Sequence, residues 1–167
     1  DIQFEDSEVA HKLVRAGDIE LAVVTLNPAG EQAQSDLETK TIWQDPLCFV
    51  NAKPLPEVTS LSQLATLPCI LPGANTFTGR IVTERFALEG LALKPALSTN
   101  YLETISMLVS VGVGWSVLPQ TMVSELQLLT PQCAPITRSL GCVTHAKRTL
   151  SNSASAFLRV LSAYASD

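Results

Sequence analysis

Apolar and polar positions alternate with two periods along this chain, and the switches between them outline its elements. Asp1-Ile2-Gln3-Phe4 alternates polar and apolar, as a half-buried strand does. Ser7 follows, a residue whose hydroxyl can accept from the free N–H groups of a first helical turn. Val9, Ala10, Leu13 and Val14 share one helical stripe. Gly17 ends that helix, because glycine enters the left-handed conformation at little cost. Ile19 to Leu26 is nearly all apolar, as a strand buried on both faces is. Residues 27–36 are polar and read as a surface loop.

Leu37 to Trp43 predicts a strand, and Leu47 to Val50 a second one, ended by Asn51 and the Pro54/Pro56 pair. Ser60 caps a short helix over Leu61–Ala65. Cys69-Ile70-Leu71 is an apolar run closed by Pro72-Gly73. Thr78 is expected to cap a helix whose Ile81, Val82 and Phe86 face inward, stopped by Gly90. Lys94 to Ser98 predicts a strand. Asn100 or Thr99 then caps a helix with Leu102, Ile105, Leu108 and Val109 on one face, and Gly112 ends it. Trp115 to Leu118 predicts a strand, and Pro119 suits the first turn of a helix to about Leu126. Residues 127–136 read as irregular and Ser139 to Thr144 as a strand. Ser151 or Asn152 caps the last helix, where Ala154, Phe157, Leu158, Leu161 and Tyr164 recur at helical spacing.

Strands alternating with helices predict an α/β protein with a mainly parallel sheet and helices on both faces. The strand-rich middle and the return at 139–165 point to two lobes, with the chain leaving the first and coming back.

Composition narrows the function. Of 167 residues, 46% are apolar and 16% charged, against about 25% charged in an ordinary soluble domain. Even so, no apolar run reaches the ~18 residues of a membrane span, so no membrane partner is expected. Eleven basic against 16 acidic residues leave a net charge of −5, a field that would not gather DNA or an anionic membrane by itself. Cys48, Cys69, Cys133 and Cys142 form no Cys-x-x-Cys pair, and His11 and His145 are the two histidines, so no metal site is expected. No signal-peptide pattern opens the chain, and a reducing cytoplasmic setting is the expectation.

The chemistry is sparse. Gly112-Val113-Gly114 lacks the third glycine of a dinucleotide fingerprint (Val117 holds that place) and runs from helix to strand, the reverse of the required order. It reads as a tight turn, and no cofactor is expected. No Gly-x-Ser-x-Gly occurs; Ser110, Ser116 and Ser124 are candidates only by being serines. His11 reads as a solvated helix position and His145 as a turn residue. Glu84 and Glu89 read as solvated, and Cys133 and Cys142 as buried or inert thiols. Without a nucleophile, base and oxyanion set, the chain is not expected to be an enzyme. What remains is polar residues at predicted helix starts: Ser7, then Asn75-Thr76-Phe77-Thr78, then Thr99-Asn100-Tyr101. Ligands of open α/β sheets bind beyond the carboxyl ends of strands, where helix N-termini offer N–H groups and partial positive charge. Each residue alone is more simply a cap; three sets converging on one cleft make a binding site.

Three segments resemble a known family. Ser7 to Val24 resembles the helix, glycine and Gly-x-Leu-Asp-Leu-Ala strand of LysR-type transcriptional regulators, with Ile19 and Glu20 where that family usually has Leu and Asp. Leu102 to Pro119 resembles its helix, Leu-Val-x-x-Gly-x-Gly and Leu-Pro signature. Arg148-Thr149-Leu150-Ser151, followed by Ala154, Phe157 and Leu158, resembles its closing helix. The resemblance spans nearly the whole chain in the right order. It implies a type 2 periplasmic-binding-protein fold: two Rossmann-like lobes, residues 1–49 with 145–167 and residues 50–144, joined by two crossover strands. The crossovers are implied near Val50–Asn51 and Gly141–Thr144, with Val50, Asn51 and Thr144 as hinge residues. It implies a small-molecule effector held in the inter-lobe cleft by Ser7, Asn75, Thr76, Phe77 and Thr78, with Thr99, Asn100 and Tyr101 facing the same region. It further implies a cytoplasmic homodimer or homotetramer that meets promoter DNA only through an N-terminal winged helix-turn-helix. That element, and the family's first effector-domain strand and helix, lie outside these 167 residues. The alternative is a solute-binding module of a transport system with the same fold.

Overall fold

In chain order the elements are α1 (Ser7–Ala16), β1 (Leu21–Thr25), β2 (Leu37–Asn51), α2 (Leu61–Ala65), β3 (Ile70–Leu71), α3 (Phe77–Ala87), β4 (Leu97–Ser98), α4 (Leu102–Ser110), β5 (Ser116–Pro119), β6 (Gln127–Leu129), β7 (Ile136–His145) and α5 (Asn152–Tyr164). The computed structural model describes residues 2–28 and 36–164. Most of the expected 27–36 loop (residues 29–35), Asp1 and the side chain of Tyr164 lie outside the described residues. The chain divides into two compact units. Unit 1 is Asp1–Gln44 with Arg138–Asp167, and unit 2 is Asp45–Thr137. β2 and β7 each begin in one unit and end in the other. The sequence-based boundaries at 49/50 and 144/145 lie further along both strands. Val50 and Asn51 fall within unit 2 and Thr144 within unit 1.

In unit 1, β1 pairs antiparallel with β7, from Leu21 opposite Thr144 to Thr25 opposite Leu140. α1 lays Ala10 and Val14 against Ala22, Leu26, Leu37 and Val143. The helix ends as its sequence dictates. Gly17 takes φ 83, and the N–H groups of Gly17 and Asp18 both return to the Leu13 carbonyl.

Unit 2 is built on period-two burial. Phe49, Cys69, Leu71 and Val117 face one core, with α2 and α3. Their neighbours Val50, Ile70 and Leu118 face the other, with α4. The first core centres on three rings: Phe86 and Trp115 stack at 5.7 Å, and Phe49 lies 6.2 Å and 5.9 Å from them. The Trp115 indole N–H donates to the Leu64 carbonyl at 2.9 Å, so the largest buried side chain is also satisfied. Ser60 caps α2 through a reciprocal box with Gln63.

Several expectations are corrected. Residues 2–6 form no strand, and Ile2 and Phe4 are 85% and 95% exposed; alternation alone does not supply a pairing edge. The two runs at 37–43 and 47–50 are one 15-residue strand, because the polar Gln44-Asp45-Pro46 interrupts the apolar pattern without breaking the extended backbone. Strand pairing is mixed, not mainly parallel, and β3 and β4 form a two-stranded sheet of their own. Pairing is parallel in β3·β4 and at the Cys69–Trp115 bridge, where a helix supplies the crossover. It is antiparallel in β1·β7, β2·β5 and β2·β6. Pro119 closes β5 and is followed by a single 3-10 turn at Gln120–Met122, so no helix reaches Leu126, and Gln127–Leu129 pairs as a strand. His11 is buried at 5% exposure, not solvated, because it shares the inner face of α1 with Ala10 and Val14.

Candidate functional site

β3 and β4 run parallel with Ile70 opposite Leu97 and Leu71 opposite Ser98, so both strands end at the same edge of the sheet. The chain leaves β3 through Pro72-Gly73 into α3, and leaves β4 through Thr99-Asn100-Tyr101 into α4. Two helix starts therefore lie side by side at paired carboxyl ends, where helix dipoles and N–H groups favour oxygen-rich or anionic ligands. One direct bond joins the two loops: the Gly73 N–H donates to Asn100 Oδ1 at 3.3 Å. Thr99 N–H also reaches the Leu71 carbonyl at 3.4 Å. The structure thus brings the 75–78 and 99–101 sets together within unit 2.

The roles within those sets differ from the sequence expectation. α3 is capped by Thr76, not Thr78: the Thr76 hydroxyl accepts from Gly79 N–H at 3.0 Å and donates to the Gly73 carbonyl at 2.7 Å. Thr78 lies one residue inside the helix, too late to cap it. Thr76, Phe77 and Thr78 are buried and Asn75 is exposed, so Asn75 carries the accessible side chain of the set. Tyr101, not Asn100 or Thr99, occupies the N-cap position of α4, and its side chain makes no cap bond. The Thr99 hydroxyl instead accepts from Tyr101 N–H at 3.4 Å, and Tyr101 is exposed.

In unit 1, Ser7 is the first helical residue of α1 and Asp6 holds the N-cap position, without a side-chain cap bond. The Ser7 hydroxyl accepts from Thr25 N–H at 3.1 Å, across 18 residues, so it sits at the carboxyl end of β1. Its O–H is a donor as well as an acceptor, a pairing that suits a ligand oxygen.

Three residues were missed from the sequence: Gly73, Gly79 and Arg80. A Cβ on Gly79 would run into the Gly73 carbonyl, so glycine is required for the close approach. The signal was available, since glycine in a first helical turn costs stability and its presence marks such a contact. Arg80 donates to the Asn75 carbonyl at 3.0 Å, with its guanidinium 4.7 Å from the Phe77 ring centroid.

The other candidates form no reacting set. Ser110 donates to the Met107 carbonyl, and fully buried Ser116 to the Ile70 carbonyl at 2.6 Å. His145 is the last residue of β7, not a turn residue as expected; the turn begins one residue later, and the His145 Nδ1 accepts from Lys147 N–H. The four cysteines are free thiols. Burial pushes each thiol pKa up, Cys69 to about 11, away from the thiolate that reactivity requires. Among the described residues, no three or more His, Cys, Asp or Glu side chains group as a metal site. No described helix is long and apolar enough to cross a membrane.

The model of the LysR substrate binding domain matches residues 1–166. No curated protein sequence matches the chain. Among solved structures, the effector-binding domain of QuiR in complex with shikimate superposes with a TM-score of 0.82 at 16% identity, covering 97% of this chain and 79% of that one. The regulatory domain of Synechocystis PCC6803 CcmR in complex with 2-PG gives 0.81 at 22% identity, covering 96% and 80%. The apo regulatory domain of HypT from Salmonella typhimurium gives 0.79 at 16% identity, covering 99% and 82%. These likenesses carry the fold, which is the type 2 periplasmic-binding-protein-like α/β fold. With residues 1–166 of its 167 matched, the chain belongs to the family of LysR substrate-binding domains.

Proposed function

We propose that this chain is the ligand-sensing part of a LysR-type transcription regulator. A small-molecule effector binds between the two units, touching Ser7 in unit 1 and Asn75, Thr76, Phe77 and Thr78 in unit 2. Thr99 and Tyr101 border the same region. Val50, Asn51 and Thr144 act as hinges. The effector shifts the balance between two arrangements of the units only as far as it binds them unequally. The regulator is cytoplasmic, works as a homodimer or homotetramer, and reaches promoter DNA through an N-terminal winged helix-turn-helix. It performs no catalysis.

The observation that carries this reading is the joining of two helix starts at neighbouring parallel strand ends, through Gly73 and Asn100. The ligands named for QuiR and CcmR, shikimate and 2-PG, direct the search towards small oxygen-rich metabolites. A thermal-shift screen that begins with those two compounds and widens to other small carboxylates tests it. A ligand selective for the folded state raises the melting temperature. The reading requires at least one such compound whose effect Asn75→Ala removes; stabilisation that survives both Asn75→Ala and Ser7→Ala contradicts it.

A further inference from the structure

We propose that Asn100 and Arg80 are positioning residues that set the shape of the Gly73–Thr76 loop before any ligand arrives. This rests on the effector-binding role proposed above for Asn75–Thr78. Both backbone groups of Gly73 are engaged. Its N–H is held by Asn100 from the neighbouring loop at 3.3 Å. Its carbonyl accepts from the Thr76 N–H at 2.9 Å and the Thr76 hydroxyl at 2.7 Å. Gly79 lets that carbonyl lie against α3, and the obstacle to any side chain there is backbone, which cannot swing aside.

The second clamp acts two residues on. Arg80, one turn into α3, donates to the Asn75 carbonyl at 3.0 Å. Its guanidinium rests over the ring of Phe77, a buried and therefore fixed platform. The Asn75 backbone is tied down while the residue stays exposed, with its Oδ1 lying back against Gly73.

Glycine has the widest backbone freedom of any residue, so without Asn100 the Gly73 end of the loop would be ordered in part only at the moment of binding. That ordering cost would come out of ligand affinity. Asn100, expected from the sequence to be a contact, therefore acts through Gly73, and Arg80 acts through Asn75.

The test uses the 15N-labelled 167-residue chain and the variants Asn100→Ala, Asn100→Asp and Arg80→Met. In ligand-free protein, Asn100→Ala speeds amide exchange at Gly73 about fivefold, the loss of one ordinary hydrogen bond. Asn100→Asp keeps an acceptor oxygen and restores slow exchange. Arg80→Met lowers the 15N relaxation order of Asn75. Unchanged exchange at Gly73 in Asn100→Ala, or no rescue by Asn100→Asp, overturns the Asn100 clamp; unchanged order at Asn75 overturns the Arg80 clamp. Shikimate and 2-PG are then titrated while the Asn75–Thr78 amides are followed. Where the wild type binds, the clamp predicts about fivefold weaker binding in Asn100→Ala and Arg80→Met, with Asn100→Asp near wild type. If neither compound moves the wild-type amides, the effector reading loses those two ligands, and the ligand-free exchange and relaxation still decide the clamps.

Discussion

Glu20 and Ser151, 131 residues apart in the chain, are bonded twice: the Ser151 N–H and hydroxyl both donate to the Glu20 carboxylate, at 2.8 and 2.7 Å. The same Ser151 oxygen accepts from Ala154 N–H at 3.2 Å and so caps α5. Three residues before Ser151, Arg148 donates to the Ala16 carbonyl at the end of α1. Its guanidinium occupies the space a Cβ on Gly17 would need. Two segments quoted separately from the sequence, 7–24 and 148–158, thus prove to be the two sides of one joint within unit 1.

That joint predicts coupling between Gly17 and Arg148. Gly17→Ala forces a side chain to φ 83, at a cost of about 1–2 kcal/mol, and also expels the Arg148 guanidinium from Ala16. Arg148→Ala alone costs about 1 kcal/mol, the worth of a hydrogen bond. The two losses overlap, so urea denaturation of the double variant should show less than the sum of the singles. Strict additivity would mean that the guanidinium does not hold its place at Gly17 in solution.

Glu20 also predicts a pH dependence. The bonds from Ser151 hold its carboxyl below the ordinary value of 4.5. A carboxylate depressed in the folded state contributes stability above the unfolded value and loses it as pH falls through the folded value. Asp36, lowered by its bond and charge pairing with Lys147, acts in the same direction, although both partners are largely exposed and the pair is screened by salt. Glu20→Gln should therefore flatten the fall in melting temperature below about pH 4.5. A wild-type slope retained in this variant would remove Glu20 from the acid response.

Trp115 anchors the ring cluster of unit 2. Trp115→Ala empties the centre of that core and should cost about 3–5 kcal/mol. Trp115→Phe keeps most of the apolar volume and removes one donor from the Leu64 carbonyl, which still accepts from Leu67 N–H, for about 1 kcal/mol. Chemical denaturation of the two variants checks both the size and the order.

The thiols are predicted to be inert. With all four pKa values raised by burial, alkylation by iodoacetamide at neutral pH in native protein should be far slower than in the unfolded chain. Rapid labelling of Cys133 or Cys142, read by mass spectrometry, would contradict the description of both as unreactive.

Much of this architecture was legible in the residues, for identifiable reasons. Helices with a stripe and a stop signal were readable: α1 ends at Gly17, and α4 carries Ile105 and Val109 inward and stops at Gly112, whose φ is 83. Strand pairing was not, because an apolar run does not record its partner. β2 looked like two strands, and residues 2–6 looked like one. At the candidate site, residue types were readable and roles were not. Asn75 to Thr78 stood out as polar residues near a helix start. Which of them caps depended on a two-residue shift in where α3 begins. That Asn100 bonds Gly73 depends on β3 and β4 lying parallel and in register, a relationship no local pattern encodes.

The central claim is that one small molecule is recognised by Ser7 in unit 1 and by the Asn75–Thr78 loop in unit 2 at the same time. Amide chemical-shift mapping with a stabilising metabolite tests it most directly. The account predicts shifts of matched midpoint at Ser7 and Glu8 and at Asn75–Thr78, abolished together by Asn75→Ala. Saturable shifts confined to one of these segments, or lying at neither, would contradict it.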